Sequence, residues 1–107
     1  MRKIEVLVFE GCPNVETTLA QVRAALAATN EPADVTVVRV ESDEAAVGLR
    51  FLGSPTVRVD GIDVDSSAGA REDYGLQCRF YSVGGRLRGT PPAEWIAAAL
   101  RGEGEPP

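Results

Sequence analysis

The sequence contains no histidine, only two cysteines, one methionine and one tryptophan, and 6% of it is aromatic. Without histidine the usual zinc ligand sets and a Cys–His nucleophile pair are both excluded. In a reducing compartment two cysteines point to reactive, redox-active or metal-binding thiols rather than to a static disulfide. Basic residues are also sparse: eleven, scattered singly, against sixteen acidic ones, for a net charge of -5. That balance argues against a nucleic-acid backbone as partner, because phosphate neutralisation needs clustered Lys and Arg. No apolar run approaches the roughly 18 residues of a membrane span, so no membrane partner is expected. Met1-Arg2-Lys3 is basic, but the apolar run after it reaches only from Ile4 to Phe9 and is interrupted by Glu5. It is shorter than the about 7–15 residues of a secretion-signal core, so the expected location is cytoplasmic.

What is present is an ordinary globular composition, 44% hydrophobic and 25% charged over 107 residues, enough for one domain and one core. Residues 1–102 read as that domain and 103–107, Gly/Glu/Pro-rich, as a flexible tail. Lys3 to Phe9 is a mostly apolar strand of the kind covered on both faces. Gly11 breaks it, and Pro13 suits the first turn of a helix over 13–29. Val15, Leu19, Val22 and Leu26 give that helix one apolar face. It ends near Asn30, before Pro32. Val35 to Val40 is a second strand. Ser42, followed by Asp43 and Glu44, caps a helix over 42–52 that turns Ala45, Ala46, Leu49 and Leu52 inward and stops at Gly53. A strand–helix–strand unit implies a parallel pair with a right-handed crossover.

After Pro55 the pattern changes. Thr56–Val59 and Ile62–Val64 flank Asp60-Gly61, a strong hairpin signal. Residues 65–75 read as a polar loop, and 77–83, with Cys78, Phe80 and Tyr81, as another strand. Gly84-Gly85 is a second turn, and Leu87 lies on a short return segment. Thr90-Pro91-Pro92 opens a last helix over 91–101, with Trp95, Ile96, Ala99 and Leu100 on its buried side; Trp95 at this spacing reads as core rather than as a ligand platform.

Cys12 sits where a strand gives way to a helix, and the positive end of the helix dipole favours thiolate over thiol there. The plain alternative is a small residue packed under a turn. Cys78 reads equally as an apolar-face strand residue, as a resolving thiol, or as a second metal ligand. Topology separates these. If Ile62–Val64 is the fourth strand of the sheet, Cys78 starts its own segment at the Cys12 end; if 77–83 takes that place, Cys78 lies at the far end. The tight Asp60-Gly61 hairpin favours the first arrangement. Arg71 and Arg79, with Asp73 and Tyr74, crowd the segment around Cys78, as an anion-binding group or as a solvated loop.

The order β-α-β-α-β-β, extra hairpin, α, with Gly11-Cys12-Pro13 after the first strand and Ser54-Pro55-Thr56 before the third, resembles the thioredoxin-like fold over about residues 3–101. The resemblance implies an α/β fold with three α/β/α layers, a mixed sheet, and an inserted loop and hairpin around 65–89. It implies Cys12 as the reactive thiol, and a cis Ser54–Pro55 bond in a loop lying against it. It also implies a substrate surface of Pro13, Ser54, Pro55 and Thr56, with an exposed backbone edge that takes an extended peptide or a small thiol. The chain departs from the family in carrying one cysteine in the motif where two, separated by two residues, are usual. A looser resemblance is to alkylmercury-lyase-like proteins, which need two cysteines and an acid, a role Asp73 would fill.

Three readings follow. The first is a thiol-dependent redox protein acting on a protein or small-molecule thiol or disulfide, with catalytic Cys12 and Cys78, substrate contacts from Arg71 and Arg79 in addition to the Pro55 loop, and no cofactor. The second is a soft-metal protein holding mercury or copper between Cys12 and Cys78, or processing organomercurials. The third is a non-catalytic module that keeps the fold without the chemistry.

Overall fold

Ile4, Val6 and Val8 point to one side of the first strand and Leu7 to the other, and all four are buried. This makes the first strand the middle of the molecule. The computed structural model describes residues 1–103. In it β1 (Arg2–Val8) pairs in parallel with β2 (Ala33–Arg39) and antiparallel with β3 (Thr56–Val59), and β3 pairs antiparallel with β4 (Ile62–Asp63). The sheet order is β2-β1-β3-β4, a four-stranded mixed sheet in an α/β architecture.

Helices α1 (Val15–Thr29) and α3 (Ala93–Leu100) cover one face. There Ile4, Val6 and Val8 meet Val57 and Val59 of β3, Val22 and Ala25 of α1, and Ile96, Ala97 and Leu100 of α3. The short α2 (Asp43–Gly48) lies on the other face, where Leu7, Val40, Ala46 and Phe51 form a second, smaller cluster. Both faces of β1 are therefore packed, as its apolar run predicts. The outer strand β2 is not: Val35 and Val37 remain largely exposed.

Several boundaries differ from the sequence expectation. Helix α1 begins at Val15, with Pro13 and Asn14 in the turn before it. Its innermost residues include Thr18 and Ala25, small enough to let the helix settle on the sheet. Asn30 closes α1 in a left-handed conformation, donating its N–H to the Leu26 carbonyl. Helix α2 is capped by the Ser42 hydroxyl, which accepts from the Ala45 N–H, but it ends at Gly48 rather than running to Leu52. Arg50 turns left-handed (φ 55°), so Phe51 rather than Leu49 drops into the core, and Leu49 stays at the surface. The guanidinium of Arg58 donates to the Leu49 and Arg50 carbonyls, satisfying groups that the end of the helix leaves open.

The Asp60-Gly61 turn forms as expected, with both residues at positive φ. A 3-10 turn occupies Ala68–Ala70 within the predicted loop. The segment expected as a strand from 77 is regular only in β5 (Tyr81–Val83), which pairs with β6 (Arg86–Arg88) in a separate two-stranded sheet. Tyr81 meets half-buried Trp95 edge-on at 6.2 Å between ring centroids, which docks this hairpin on α3. The expected tail, 103–107, lies outside the described residues from 104 onward. Among the described residues no helix is long and apolar enough to cross a membrane.

Candidate functional site

The C-terminal end of β1 gathers the chemistry. Chain direction reverses there through Gly11 at φ 88°, a value glycine adopts without a Cβ penalty, and the Cys12 N–H donates to the Phe9 carbonyl. This places half-exposed Cys12 two residues before Asn14, the residue that precedes α1. Pro13 beside it is exposed.

The Ser54–Pro55 bond is cis, and Ser54, Pro55 and Thr56 are all buried. Ser54 reaches β1 directly, its hydroxyl accepting from the Phe9 N–H at 3.3 Å. Its own backbone is engaged as well: the Ser54 N–H donates to the Gln77 carbonyl at 2.8 Å, and the Arg79 N–H donates to the Ser54 carbonyl at 3.0 Å. Ser54 and Cys78 thus form a parallel bridge, with Cys78 exposed. The two topologies open in the sequence are resolved in favour of the first: β4 runs back toward the Cys12 end, and Cys78 lies against the loop before β3. Both cysteines are free thiols.

The bridge also corrects an expectation. The backbone edge of the Pro55 loop, expected to be exposed for a peptide, is already occupied at Ser54 by residues 77–79. Gly53 makes this close approach possible. At φ 124° it has no room for a Cβ, which would come within 3.0 Å of both the Arg79 Cβ and the Gln77 carbonyl oxygen.

Arg79 requires a second correction. Rather than offering an anion site at the surface, its side chain is fully buried and faces two carboxylates. It makes a bidentate pair with Asp63 (2.6 and 3.0 Å), a longer contact with Asp65 (3.5 Å), and a hydrogen bond to the Thr56 hydroxyl (3.0 Å). The guanidinium also lies 4.5 Å from the centre of the Tyr81 ring. Burial opposes its charge, but the Asp63 hydrogen bonds prevail and raise its pKa. Tyr81 in turn donates its hydroxyl to the Pro55 carbonyl at 2.6 Å, and Thr56 donates to the Gly53 carbonyl at 2.7 Å. Burial pushes the Tyr81 phenol well above its ordinary value. The Pro55 loop is therefore held from behind by a buried polar network.

No family model, curated protein or solved structure matches the chain.

Arg71 is half-buried and engaged by Asp73 through two hydrogen bonds of 2.9 and 2.6 Å. That pairing holds the Asp73 carboxyl below its ordinary value. The acid that the organomercurial reading looks for in Asp73 is thus engaged by Arg71. A cavity of about 320 Å³ opens at the same end of the sheet, lined by Phe9, Glu10, Arg39, Val40, Glu41 and Leu76. Glu10 stands two residues before Cys12 and Leu76 two residues before Cys78, so this cleft borders both cysteine-bearing segments.

The sequence reading missed Gly53, Asp63 and Tyr81 as parts of the site. The pairing of Asp63 with a residue sixteen positions later has no local signature.

Proposed function

We propose that this chain is a thioredoxin-like thiol protein that reduces small disulfides, with Cys12 as the attacking thiol and Cys78 as the resolving one. The observation that carries the reading is the Ser54–Cys78 bridge beside the Ser54–Phe9 hydrogen bond, which brings both free cysteines to one end of the sheet. A small substrate is favoured over a protein because residues 77–79 already occupy the Ser54 backbone edge, while the neighbouring cleft has the size of a small-ligand site. In the reaction the Cys12 thiolate attacks one sulfur of the substrate disulfide. A Cys12–substrate S–S bond forms, the substrate S–S bond breaks, and the leaving thiolate takes a proton from solvent. The Cys78 thiolate then attacks the Cys12 sulfur, forming Cys12–Cys78 and releasing the second thiol. The substrate gains two electrons and the protein loses them; two equivalents of a low-molecular-weight thiol, leaving as their disulfide, restore the reduced pair.

Reduced protein mixed with glutathione disulfide tests this by mass spectrometry. The wild type is expected to give an intramolecular disulfide. Cys78→Ser stops at a glutathione adduct on Cys12, and Cys12→Ser does not react. Equal adduct formation on Cys78 in Cys12→Ser, or no intramolecular disulfide in the wild type, would leave the fold as a non-catalytic module.

A second reading rests on the donor set. No group of three or more His, Cys, Asp and Glu side chains is gathered among the described residues. A metal held by Cys12 and Cys78 would then be two-coordinate, suiting Hg(II) or Cu(I) rather than zinc. Titration with Hg(II) distinguishes it: binding of one ion per chain that is lost in both Cys→Ser variants supports this reading.

A further inference from the structure

A second cavity, of about 330 Å³, lies on the α2 side of the β3–β4 hairpin, and no cysteine lines it. Its walls combine Leu49, Leu52 and Ile62 with Arg50, Arg58 and Tyr74. The carboxylates that also border it are committed elsewhere: Asp63 and Asp65 are turned onto Arg79, and the nearby Asp73 onto Arg71. Arg50 and Arg58 have no carboxylate partner among the described residues. Arg50 donates Nε to the Tyr74 hydroxyl at 3.2 Å, with its guanidinium carbon 5.8 Å from the centre of that ring. Arg58 donates only to the Leu49 and Arg50 carbonyls.

Arg50 and Arg58, neither of them in an ion pair among the described residues, stand on one cavity wall, with Glu5 the cross-strand neighbour of Arg58. Each holds unused N–H donors in a fixed fork that matches a carboxylate or phosphate. Side-chain hydrogen bonds orient them, Arg50 through the Tyr74 hydroxyl and Arg58 through the carbonyls at the end of α2. Beside them Ile62 and Leu49 are exposed apolar side chains, 68% and 39% accessible, with nothing covering them. A ligand that satisfies all of these carries one anionic group on a flat apolar body.

We infer that this cavity binds a small organic anion, its acidic group between Arg50 and Arg58 and its apolar body against Leu49, Ile62 and Tyr74. The cavity shares Asp63 with the network behind the Pro55 loop, but no cysteine lines it and the inference does not depend on the cysteine chemistry.

Saturation-transfer NMR with 2-naphthoate as the probe tests the inference, with 2-naphthylmethanol as the neutral comparison and 2-naphthyl phosphate to separate carboxylate from phosphate ligands. Saturable naphthoate binding is expected to weaken with added salt and to weaken about tenfold in Arg50→Gln, since a charge-assisted hydrogen bond contributes on that scale. Arg50→Gln/Arg58→Gln should weaken it further, and Arg86→Gln on exposed β6 should leave it unchanged. Tighter binding of the phosphate than of naphthoate assigns the site to phosphorylated ligands within the same anion class. Arg58 supports the end of α2, so Arg50→Gln alone is decisive if the double variant does not fold. Absence of saturable naphthoate binding, equal affinity in Arg50→Gln, or naphthylmethanol binding as tightly as naphthoate would overturn the inference.

Discussion

Replacing Asp63 by alanine breaks the buried pair behind the Pro55 loop, along with the hydrogen bond that Asp63 accepts from the Asp65 N–H. The Arg79 side chain has 0% exposure and Asp63 14%, so the pair is shielded from water on the arginine side. Removing one partner of a buried ion pair typically costs about 3–5 kcal/mol, because the remaining charge stays desolvated. Here Asp65 at 3.5 Å, the Thr56 hydroxyl and the Tyr81 ring still face the guanidinium, which puts the expected loss at the lower end, about 3 kcal/mol. For a domain near 100 residues this lowers Tm by on the order of 15 °C. Urea unfolding followed by Trp95 fluorescence measures it as a fall in midpoint at constant slope. Asp63→Asn keeps an acceptor but loses the charge and one of the two bonds, and should lose about half as much. Asp65→Ala removes the long contact to Arg79 and the two hydrogen bonds that Asp65 accepts from the Ser67 N–H and hydroxyl, and should cost about 2 kcal/mol. A loss below about 1 kcal/mol in Asp63→Ala at unchanged slope would refute the reasoning, since it would mean that Arg79 escapes to water when its partner goes.

Three further outcomes follow from the same region. Gly53→Ala places a Cβ against the Arg79 Cβ and the Gln77 carbonyl at a φ that alanine resists, so it should destabilise by about 3 kcal/mol and speed alkylation of Cys78. Tyr81 ionises later in the folded chain than in the unfolded one. Its contribution is therefore fully present below pH 10 and is lost as pH rises toward the folded value; unfolding free energy should fall above pH 10, and that fall should shrink in Tyr81→Phe. Tyr81→Phe also removes the hydrogen bond to the Pro55 carbonyl and should cost about 1 kcal/mol by urea unfolding at neutral pH.

What the sequence determined by itself was local and periodic. The apolar run of Ile4 to Val8, the Ser42 cap, the Asp60-Gly61 turn and the Asn30 helix end are each written in a few adjacent residues, because steric limits and short-range hydrogen bonds decide them. From these the α/β order follows, and with it the return of β4 toward the end of the sheet where Cys12 lies. The tertiary structure decided whatever depends on partners distant in the chain. Arg79 and Arg71 look alike in sequence, yet one is buried because Asp63 and Asp65 arrive from the β4 side to neutralise it, while the other is held by its near neighbour Asp73. Leu49 and Phe51 are both plausible core residues, and the left-handed turn at Arg50, anchored by Arg58 from β3, selects Phe51. The pairing of Ser54 with Cys78 across a polar loop has no periodicity to announce it. It exists because Gly53 leaves room for residues 77–79 to approach, and because the Ser54 backbone, once buried, must find hydrogen-bond partners there.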